Sequence, residues 1–468
     1  METERQSRGF SIEHEMARRD LHNSILELYY YLNSQFLAKD SRFPFENHSR
    51  NQILSLIGQS AAFASIDSAE SWRKRTLAGI SMKFQDHFNK MQNPSDCNNA
   101  RILTCDLNKS CGFGCQLHHV VYCFIVAYGS NRTLVLVNDG RSWSYSSQGW
   151  SAAFLPITNC SFSKISKHAV TDPSWGIGEE YSQKRVMNLP IIDVLSDRPN
   201  YLPLAIPRSW SNELLRLHSN PSVFFISQFV HYLMRPSNLL AKKIAQAANE
   251  VPFGKGPIVG LQVRRTDKLN SEAVFHDLEE YMRWAEDWFR IEEYRTKSPI
   301  KKRVYIATDD PSVFSEAALK YPSYEVYGDL KISNMAQVHT RYSMKSLIGV
   351  VIDVELLSRC AYLVCTFSSQ VCRIGYELMQ LRFGDAGDRF HSLDDIYYFG
   401  GQQAHEQIAV EAYRAENEDE IDLEVGDIIV IAGNHWNGFS KGMNRRTGKD
   451  GLYPSYKTRE KYIIEDFP

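Results

Sequence analysis

The sequence predicts an α/β protein built around a doubly wound parallel sheet, with a helical segment before it and a small all-β domain after it. Apolar residues recur every three or four positions near the start of the chain, short apolar strands alternate with helices from Gly256, and short strands separated by turns follow Gly400. At 468 residues the chain is long enough for about two to four domains. We expect the domains to span 1–67, 68–255, 256–402 and 403–468.

The overall charge of the chain is close to neutral. Lys and Arg together number 53 and Asp and Glu 55, which gives a formal net charge of −2 at pH 7. This balance argues against a nucleic-acid partner or a polybasic membrane surface, because both need a large excess of positive charge. An anionic ligand would therefore have to be held by a local cluster of basic residues.

The region 1–67 carries the spacing of two amphipathic helices. The apolar positions are Leu21, Ile25, Leu28, Leu32 and Phe36 in the first helix, and Ile53, Leu56, Ile57, Ala61 and Phe63 in the second. Two interpretations are open. The pair packs against its own chain, or it forms a coiled coil that joins two chains into a homodimer.

The region 68–255 holds six of the nine cysteines. We interpret Val120–Ala127 and Thr133–Val137 as β-rich runs of an open α/β domain. The chain has no paired C-x-x-C ligands of the kind a zinc site needs, so the cysteines favour disulfides and an oxidising compartment. Sequons at four positions point the same way: Asn47, Asn108, Asn131 and Asn159. No apolar run is long enough to span a bilayer, so we expect a signal or membrane anchor that is missing from this sequence.

From Gly256 the pattern becomes regular and predicts a Rossmann-type parallel sheet. The predicted strands are Pro257–Val263, Val304–Ala307, Tyr324–Tyr327 and Tyr362–Cys365, and the predicted helices include Ser346–Ser358 and Ser369–Gln380. In an open parallel sheet, ligands bind at the carboxyl ends of the strands. The chemistry is therefore expected at those ends.

Charged or polar segments follow three of these strands. They are Arg264-Arg265-Thr266-Asp267-Lys268, Thr308-Asp309-Asp310 and Thr366-Phe367-Ser368-Ser369-Gln370. A buried guanidinium without a partner is very costly, so the two arginines should meet either an anionic ligand or carboxylates such as Asp267 or Asp310. The last segment opens a helix, and backbone N–H groups at a helix start suit a phosphate.

The motifs of common nucleotide enzymes are absent from the sequence. There is no Walker A sequence and no G-x-G-x-x-G after a strand, which disfavours kinases, ATPases and NAD-dependent enzymes. Asp309-Asp310 before a proline is more typical of a helix N-cap or a polar substrate contact than of a metal site. Arginines can supply the positive charge that a metal would supply to a departing diphosphate, so no metal is expected.

The residues after Gly400 resemble an SH3-like β-barrel. The turn Glu424-Val425-Gly426-Asp427, then Trp436, then the ending Tyr453-Pro454-Ser455-Tyr456 carry this resemblance. The predicted strands are Ile408–Tyr413, Asp427–Ala432, Gly438–Gly442 and Gly451–Tyr456. A peptide-binding role does not follow from the fold.

Long motifs of this chain resemble those of the alpha-1,6-fucosyltransferases, the family that fucosylates the core of N-glycans. The motifs are 262–268, Ala307-Thr308-Asp309-Asp310-Pro311, Val364–Arg373 and His391–Gln402. The resemblance covers nearly the whole chain. It implies a GT-B-like transferase fold and an inverting, metal-independent transfer of L-fucose from GDP-fucose to O6 of the innermost N-acetylglucosamine.

The resemblance also implies residue roles. Arg264 would stabilise the leaving GDP, Glu272 would be the general base, Lys268 would relay or orient the proton, and Asp267 belongs to the same catalytic segment. The donor residues would be Arg264, Arg265, Gln262, Tyr128, Tyr145, Asp353, Ser369 and Gln370. The acceptor residues would be Lys109, Asp193, Asp309, Asp310, Asp394, Asp395, Tyr398 and His435. Gln262 stands where close relatives commonly carry histidine, and glutamine can hydrogen-bond but cannot stack as an imidazole does.

Four disulfides follow from the family pattern: Cys97 with Cys160, Cys105 with Cys123, Cys111 with Cys115, and Cys365 with Cys372. Cys360 would be unpaired. The resemblance further implies N-glycoprotein acceptors, a Golgi lumenal site for a single-pass type II membrane protein, and a homodimer through the N-terminal helices.

Other functions stay open from the sequence. A lumenal glycan-binding or scaffold protein on a transferase fold is one, and a fucosyltransferase acting on another acceptor, such as a protein or a chitooligosaccharide, is another. Glycoside hydrolysis would need two opposed carboxylates, and the neighbours Asp309 and Asp310 are poorly placed for that.

Overall fold

The computed structural model describes residues 11–38, 44–64, 69–165, 170–171, 183–191, 198–265, 274–337 and 340–467. Three helices come first: α1 Ile12–Ala38, α2 Pro44–Phe63 and α3 Ala69–Gln92. The two helices predicted in 1–67 are confirmed, and α3 is an addition to them. None of the described helices combines the length and the apolar character needed to cross a membrane.

The first sheet has four parallel strands in the spatial order β2–β1–β4–β3. Its strands are β1 Ile102–Cys105, β2 Thr133–Leu136, β3 Val170–Thr171 and β4 Val186–Leu189, and its helices are α4 Phe113–Gly129 and α5 Phe162–Ile165.

The prediction of a strand at Val120–Ala127 is wrong, because these residues lie within α4. Every residue of α4 except Cys115 is buried. A helix that is apolar on all sides has no polar face to reveal its period, so its sequence looks like a buried strand.

Strand β5 Ala205–Pro207 and three helices connect the two large sheets: α6 Ser211–Leu217, α7 Pro221–Leu233 and α8 Asn238–Glu250. The side chain of Asn220 caps α7 by accepting the N–H of Val223. Ser237 does the same for α8 through the N–H of Leu240. The aromatic face of α7 packs with α3 and α4 in the largest hydrophobic core, where the Phe88 and Phe229 rings lie 4.6 Å apart.

The second sheet is parallel, as predicted, with five strands in the order β10–β9–β6–β7–β8. Its strands are β6 Val259–Val263, β7 Arg303–Thr308, β8 Glu325–Tyr327, β9 Tyr362–Cys365 and β10 Phe390–Ser392, and its helices are α9 Leu278–Thr296, α10 Ser312–Lys320, α11 Leu330–Met335, α12 Met344–Leu357 and α13 Gln370–Phe383. The central strands β6 and β7 are buried along their whole length, as expected for a sheet covered by helices on both faces.

The C-terminal barrel is antiparallel, in the order β14–β13–β12–β11–β15. Its strands are β11 Glu406–Ala409, β12 Ile428–Asn434, β13 Phe439–Asn444, β14 Asp450–Pro454 and β15 Thr458–Glu460. A last strand, β16 Ile463–Glu465, leaves the barrel and pairs in parallel with β5. The end of the chain is thus tied back to the segment before the second sheet.

The N-terminal helix pair packs on its own chain. Tyr29 and Tyr30 of α1 belong to the same core as Trp284 of α9. Trp436 of the barrel contacts Tyr30, with ring centres 5.6 Å apart. Of the two interpretations of these helices, packing against their own chain therefore describes this contact. Leu21, which is also on α1, is 59% exposed.

The structure contains all four disulfides that the family pattern implies: Cys97–Cys160, Cys105–Cys123, Cys111–Cys115 and Cys365–Cys372. Cys360 is a buried free thiol.

Candidate active site

The polar segments that follow β6, β7 and β9 meet at one edge of the second sheet. β6 lies between β9 and β7, and the three strands are parallel, so their carboxyl ends are neighbours. Arg264 directly follows β6, Asp309 directly follows β7, and Ser369 comes shortly after β9. This edge is where ligands of open parallel sheets bind.

Arg264 and Arg265 have different partners, although they are adjacent in the chain. The Nε of Arg264 lies 3.2 Å from a carboxylate oxygen of Asp309. The guanidinium of Arg265 lies 2.7 Å from Glu316 of α10 and 5.2 Å from the centre of the Phe275 ring. Successive side chains of an extended segment point to opposite faces, which explains the divergence. Arg265 is therefore held mainly in a structural ion pair, and its main partner is neither of the two acids considered from the sequence.

Asp309 contacts both arginines through its carboxylate. Its carboxylate accepts the backbone N–H of Arg265 at 2.9 Å and faces Arg264 with its other oxygen. The Asp309 side chain is only 2% exposed. The family resemblance implied that Asp309 contacts the acceptor glycan, whereas in the structure its carboxylate is occupied by Arg264 and Arg265.

Asp310 stands at the start of α10. One of its oxygens accepts the N–H of Ser312 at 3.0 Å and the Ser312 hydroxyl at 2.7 Å. This contact orders the turn that leads into α10, although Pro311 and not Asp310 is the N-cap residue. The Asp310 side chain is partly exposed, so it remains accessible from the sheet edge.

The loop between β9 and α13 is held by its own hydrogen bonds. The backbone N–H groups of Phe367 and Ser368 donate to Asp394 at 2.8 and 3.2 Å, and that of Ser369 donates to the carbonyl of Thr366 at 3.0 Å. The Ser368 and Ser369 amides are thus already used, which corrects the expectation that they would be free for a phosphate. Asp394, predicted to contact the acceptor, serves here to fix the loop.

Gln370 is the first residue of α13, and its side-chain oxygen contacts Nδ1 of His118 on α4. Gln262 lies inside β6 at 4% exposure, and within the described residues its side-chain oxygen has no hydrogen-bond partner. A buried acceptor of this kind is costly unless something donates to it.

Asp353 lies on α12, where it contacts Tyr305 of β7. The Tyr305 hydroxyl donates to its carboxylate at 2.7 Å. Burial raises the pKa of Asp353 to about 7, and the nearby Asp329 adds to the effect, although the Tyr305 hydrogen bond opposes it.

The structure separates the two predicted donor tyrosines. The ring of Tyr145 is buried and lies 5.6 Å from the ring of Tyr342 in the segment before α12. Burial raises the pKa of Tyr145 to about 12. Tyr128 lies instead near the far end of α4, among Phe88, Phe229 and other rings. At 1.5 Å per residue this is about 20 Å along the helix from the end that meets Gln370, so the structure does not bring Tyr128 to the sheet edge.

Of the remaining acceptor residues, Asp395 and His435 lie at the junction with the barrel. Tyr398 is covered by the guanidinium of Arg373, which lies 4.1 Å from the ring centre and donates to the Tyr398 carbonyl. Asp395 lies against Gly433 of β12, and burial raises its pKa. His435, just after β12, is exposed. Lys109 precedes α4, where its carbonyl accepts the side-chain amide of Gln116 at 2.8 Å.

Four predicted site residues lie outside the described residues. They are Asp193, Asp267, Lys268 and Glu272.

A buried polar network at this edge escaped the sequence reasoning. His118 contacts both oxygens of Glu377 at 3.0 Å, and the Tyr397 hydroxyl donates to Glu377 at 2.8 Å. His118 lies two residues before the run Val120–Ala127 that was interpreted as a strand, so its helical face was not assigned. A correct helical assignment of that run would have placed His118 one turn after Gly114.

Two other features do not coincide with the sheet edge. A cavity of about 440 Å³ lies between α1, the barrel and the start of β10. Among the described residues, the side chains with metal-ligand spacing are Cys105, His119 and Cys123, but the two sulfurs are joined in a disulfide and offer no thiolate. The candidate site is therefore identified by the polar residues that follow β6, β7 and β9, and not by the size of a cavity.

Comparison with known proteins identifies the family. Residues 1–398 match the model of the alpha-(1,6)-fucosyltransferase N- and catalytic domains, and residues 409–458 match a variant SH3 domain. The alpha-(1,6)-fucosyltransferase of Caenorhabditis elegans is 48% identical over 446 residues, which cover 95% of this chain and 78% of the relative. That of Drosophila melanogaster is 43% identical over 473 residues, which cover 98% of this chain and 75% of the relative.

The solved structures that match this chain are more distant in sequence. NodZ alpha-1,6-fucosyltransferase soaked with GDP-fucose is 17% identical over 60% of this chain and 92% of its own, with a TM-score of 0.33. POFUT1 in complex with GDP-fucose is 12% identical over 63% of this chain and 98% of its own, with a TM-score of 0.36. Neither is similar enough for residue roles to be carried over. On the family model and the two relatives, the chain belongs to the alpha-(1,6)-fucosyltransferases, a family of glycosyltransferases.

Proposed function

We propose that this enzyme transfers L-fucose from GDP-fucose to O6 of the innermost, Asn-linked N-acetylglucosamine of N-glycans. The main support for the proposal is that Arg264, its ion-pair partner Asp309 and the start of α13 lie at the same edge of the second sheet. Family membership supports fucose transfer in general, and this edge supports a diphosphate-linked sugar as the donor.

The proposed chemistry is an inverting displacement. The acceptor O6 attacks the anomeric carbon of fucose, the bond from that carbon to the diphosphate oxygen breaks, and GDP leaves with the electron pair. Arg264 would stabilise the charge that develops on the diphosphate. Glu272 would take the proton of O6, with Lys268 and Asp267 in the same segment orienting the transfer. This arrangement places the positive charge on a side chain and requires no metal.

The donor would lie along the sheet edge with its diphosphate at Arg264. Gln370 and Ser369 adjoin that position, and Asp353 can accept two N–H donors of a base once it is ionised. Gln262 would accept a donor group of the nucleotide at its side-chain oxygen, to which none of the described residues donates. Arg265 would act beside these groups by holding the segment through Glu316.

The acceptor glycan would lie between the sheet edge and the barrel. Asp395 and Asp310 are partly exposed there, and His435 projects from the barrel itself. Lys109, Tyr398 and Asp193 would complete the surface. Carboxylates suit this task because each accepts several hydrogen bonds from sugar hydroxyls.

A transfer assay with an acceptor panel tests the reaction and the acceptor together. Purified protein is given GDP-L-fucose with and without EDTA, and one of three acceptors: a biantennary glycopeptide ending in N-acetylglucosamine, a chitooligosaccharide, or a folded protein domain without glycan. We expect one deoxyhexose on the innermost N-acetylglucosamine of the glycopeptide, located by fragmentation mass spectrometry and unaffected by EDTA. Transfer to another acceptor alone would overturn the acceptor assignment, and bound GDP without any transfer would favour a glycan-binding protein.

The proposed base has a matched control in the barrel. Glu272→Gln removes the proton acceptor and should lower kcat by about a hundredfold to ten-thousandfold. Glu418→Gln makes the same chemical change at an exposed residue of the barrel and should leave kcat unchanged. Equal activity of the two variants would refute the role of Glu272.

We also propose a homodimer through the N-terminal helices, acting in the Golgi lumen. The four disulfides fit an oxidising lumen. Leu21 and Leu28 on α1 and Leu56 on α2 are between 48% and 59% exposed, an apolar surface that a second copy would cover. Sedimentation of the Leu21→Glu/Leu28→Glu variant should give half the mass of the wild type, and an unchanged mass would exclude this interface.

A further inference from the structure

Helices α4 and α13 come together at the sheet edge through a very close contact. A Cβ added at Gly114 would lie 2.6 Å from the Cβ of Gln370. Glycine at this position is what lets the amino-terminal part of α4, from the first α/β region, reach the start of α13 beside the donor site. His118, which lies one turn after Gly114 on α4, is therefore brought next to the proposed donor contact Gln370.

His118 is the side chain that bridges this contact. Its Nδ1 faces the side-chain oxygen of Gln370, and its Nε2 faces both oxygens of Glu377 at 3.0 Å. The Glu377 side chain is fully buried and also accepts the Tyr397 hydroxyl at 2.8 Å. The edge of the Phe399 ring packs on the imidazole, with centres 4.9 Å apart.

The partners of His118 define how it binds. A carboxylate and an amide oxygen are both acceptors, so the ring nitrogens of His118 meet them as N–H donors. The same ring then fixes the orientation of the Gln370 amide, because its oxygen is taken by Nδ1–H. The amide NH₂ is left as the end of Gln370 that can donate to a ligand.

We propose that His118 is a positioning residue for the donor: it holds the Gln370 amide so that the NH₂ group faces the diphosphate of GDP-fucose. This inference rests on the proposed donor role of Gln370. His118 touches no reacting atom and acts through Gln370 alone. The expected effect of losing it is weaker binding of the donor rather than loss of the chemical step.

Two substitutions separate the two hydrogen bonds of His118. The amide nitrogen of glutamine occupies roughly the place of Nε2, so His118→Gln keeps a donor to Glu377 and loses the one to Gln370. The amide nitrogen of asparagine lies roughly at the place of Nδ1, so His118→Asn keeps the donor to Gln370 and loses the one to Glu377. A purely structural histidine would show the larger defect in His118→Asn by every measure.

The experiment measures the Kd for GDP by calorimetry, together with KM for GDP-fucose, kcat and Tm, in full-chain variants. We expect His118→Gln to raise the Kd and KM by about fivefold to tenfold with kcat within about twofold of wild type. His118→Asn should lower the Tm more than His118→Gln does, and raise the Kd less. As a control, Tyr397→Phe removes the other donor to Glu377, and its Kd should stay within about twofold of wild type.

A double-mutant cycle with Gln370→Ala tests whether His118 acts through Gln370. His118→Gln should have no further effect on the Kd once Gln370 is alanine. An equal effect in both backgrounds, no effect in either, or a defect of the same size in Tyr397→Phe would each overturn the proposal. If Gln370→Ala itself binds GDP as tightly as wild type, the donor role of Gln370 fails, and the positioning role fails with it. The Glu272→Gln assay is independent of that result.

Discussion

The divergence of Arg264 and Arg265 predicts that alanine substitution of these neighbours has opposite consequences. Arg264 lies at the sheet edge with a side chain 18% exposed, beside Asp309. Arg265 is 8% exposed and held by Glu316. The family resemblance implied that both arginines contact the donor. We propose donor binding for the first and stabilisation of the fold for the second.

The magnitudes follow from the partners of each guanidinium. A hydrogen bond to a charged group contributes about 1.5–3 kcal/mol, so Arg264→Ala should raise the Kd for GDP by about tenfold to a hundredfold. Arg265→Ala leaves Glu316 with Lys320, which lies 2.9 Å away, so the abandoned carboxylate keeps a counter-charge. The cost in unfolding free energy should therefore be about 1–2 kcal/mol, below the range for a fully buried pair.

The assay pairs GDP calorimetry with urea unfolding for both variants. We expect Arg265→Ala to change the Kd for GDP by less than about threefold while lowering the unfolding free energy. Arg264→Ala should show the reverse order of effects, although the loss of charge beside Asp309 adds some destabilisation. Equal losses of GDP affinity, or a larger loss in Arg265→Ala, would refute the division of roles.

Three further predictions follow from the same site. Burial raises the pKa of Asp353 to about 7, far above that of an unfolded aspartate, so its contribution to stability is full at acid pH and is lost as pH rises through 7. If the nucleotide binds the ionised carboxylate, GDP affinity should rise about tenfold between pH 6 and 8. A GDP affinity that does not change with pH, or a pH profile that Asp353→Asn leaves unchanged, would contradict this. Gly114→Ala should lower the unfolding free energy by about 1–3 kcal/mol and weaken GDP binding, because the added Cβ pushes α4 away from Gln370. Gly112→Ala is the control in both measurements, because an added Cβ there meets nothing within 4 Å. Trp436→Ala should cost about 1–3 kcal/mol in unfolding free energy by freeing the barrel from Tyr30, and an unchanged unfolding curve would show that this contact is unimportant.

Much of the fold could be predicted from periodicity. The second sheet alternates short apolar strands with amphipathic helices, and each kind of element has its own period. Tyr362–Cys365 was predicted with the bounds that the structure has. The all-buried helix α4 could not be recognised in this way, because a run that is apolar on every face shows neither period. Because α4 was not recognised as a helix, the direction of the His118 side chain could not be predicted either.

The candidate site could be located but not resolved from the sequence. Residues that follow parallel strands meet at one edge, so Arg264, Asp309 and Ser369 were expected together there. Which partner each side chain takes depends on three-dimensional packing, as the pairing of Arg265 with Glu316 and of Asp394 with the Phe367 loop shows. Tyr128 was misplaced for a related reason, since its position depends on the length and direction of α4.

The most direct test of the central claim is a crystal structure of the protein with GDP-fucose or GDP. The account predicts that a diphosphate oxygen lies within about 3 Å of the Arg264 guanidinium, beside the amide nitrogen of Gln370, at the carboxyl ends of β6 and β9. A nucleotide bound elsewhere, for example in the cavity between α1 and the barrel, with Arg264 still turned to Asp309, would contradict it.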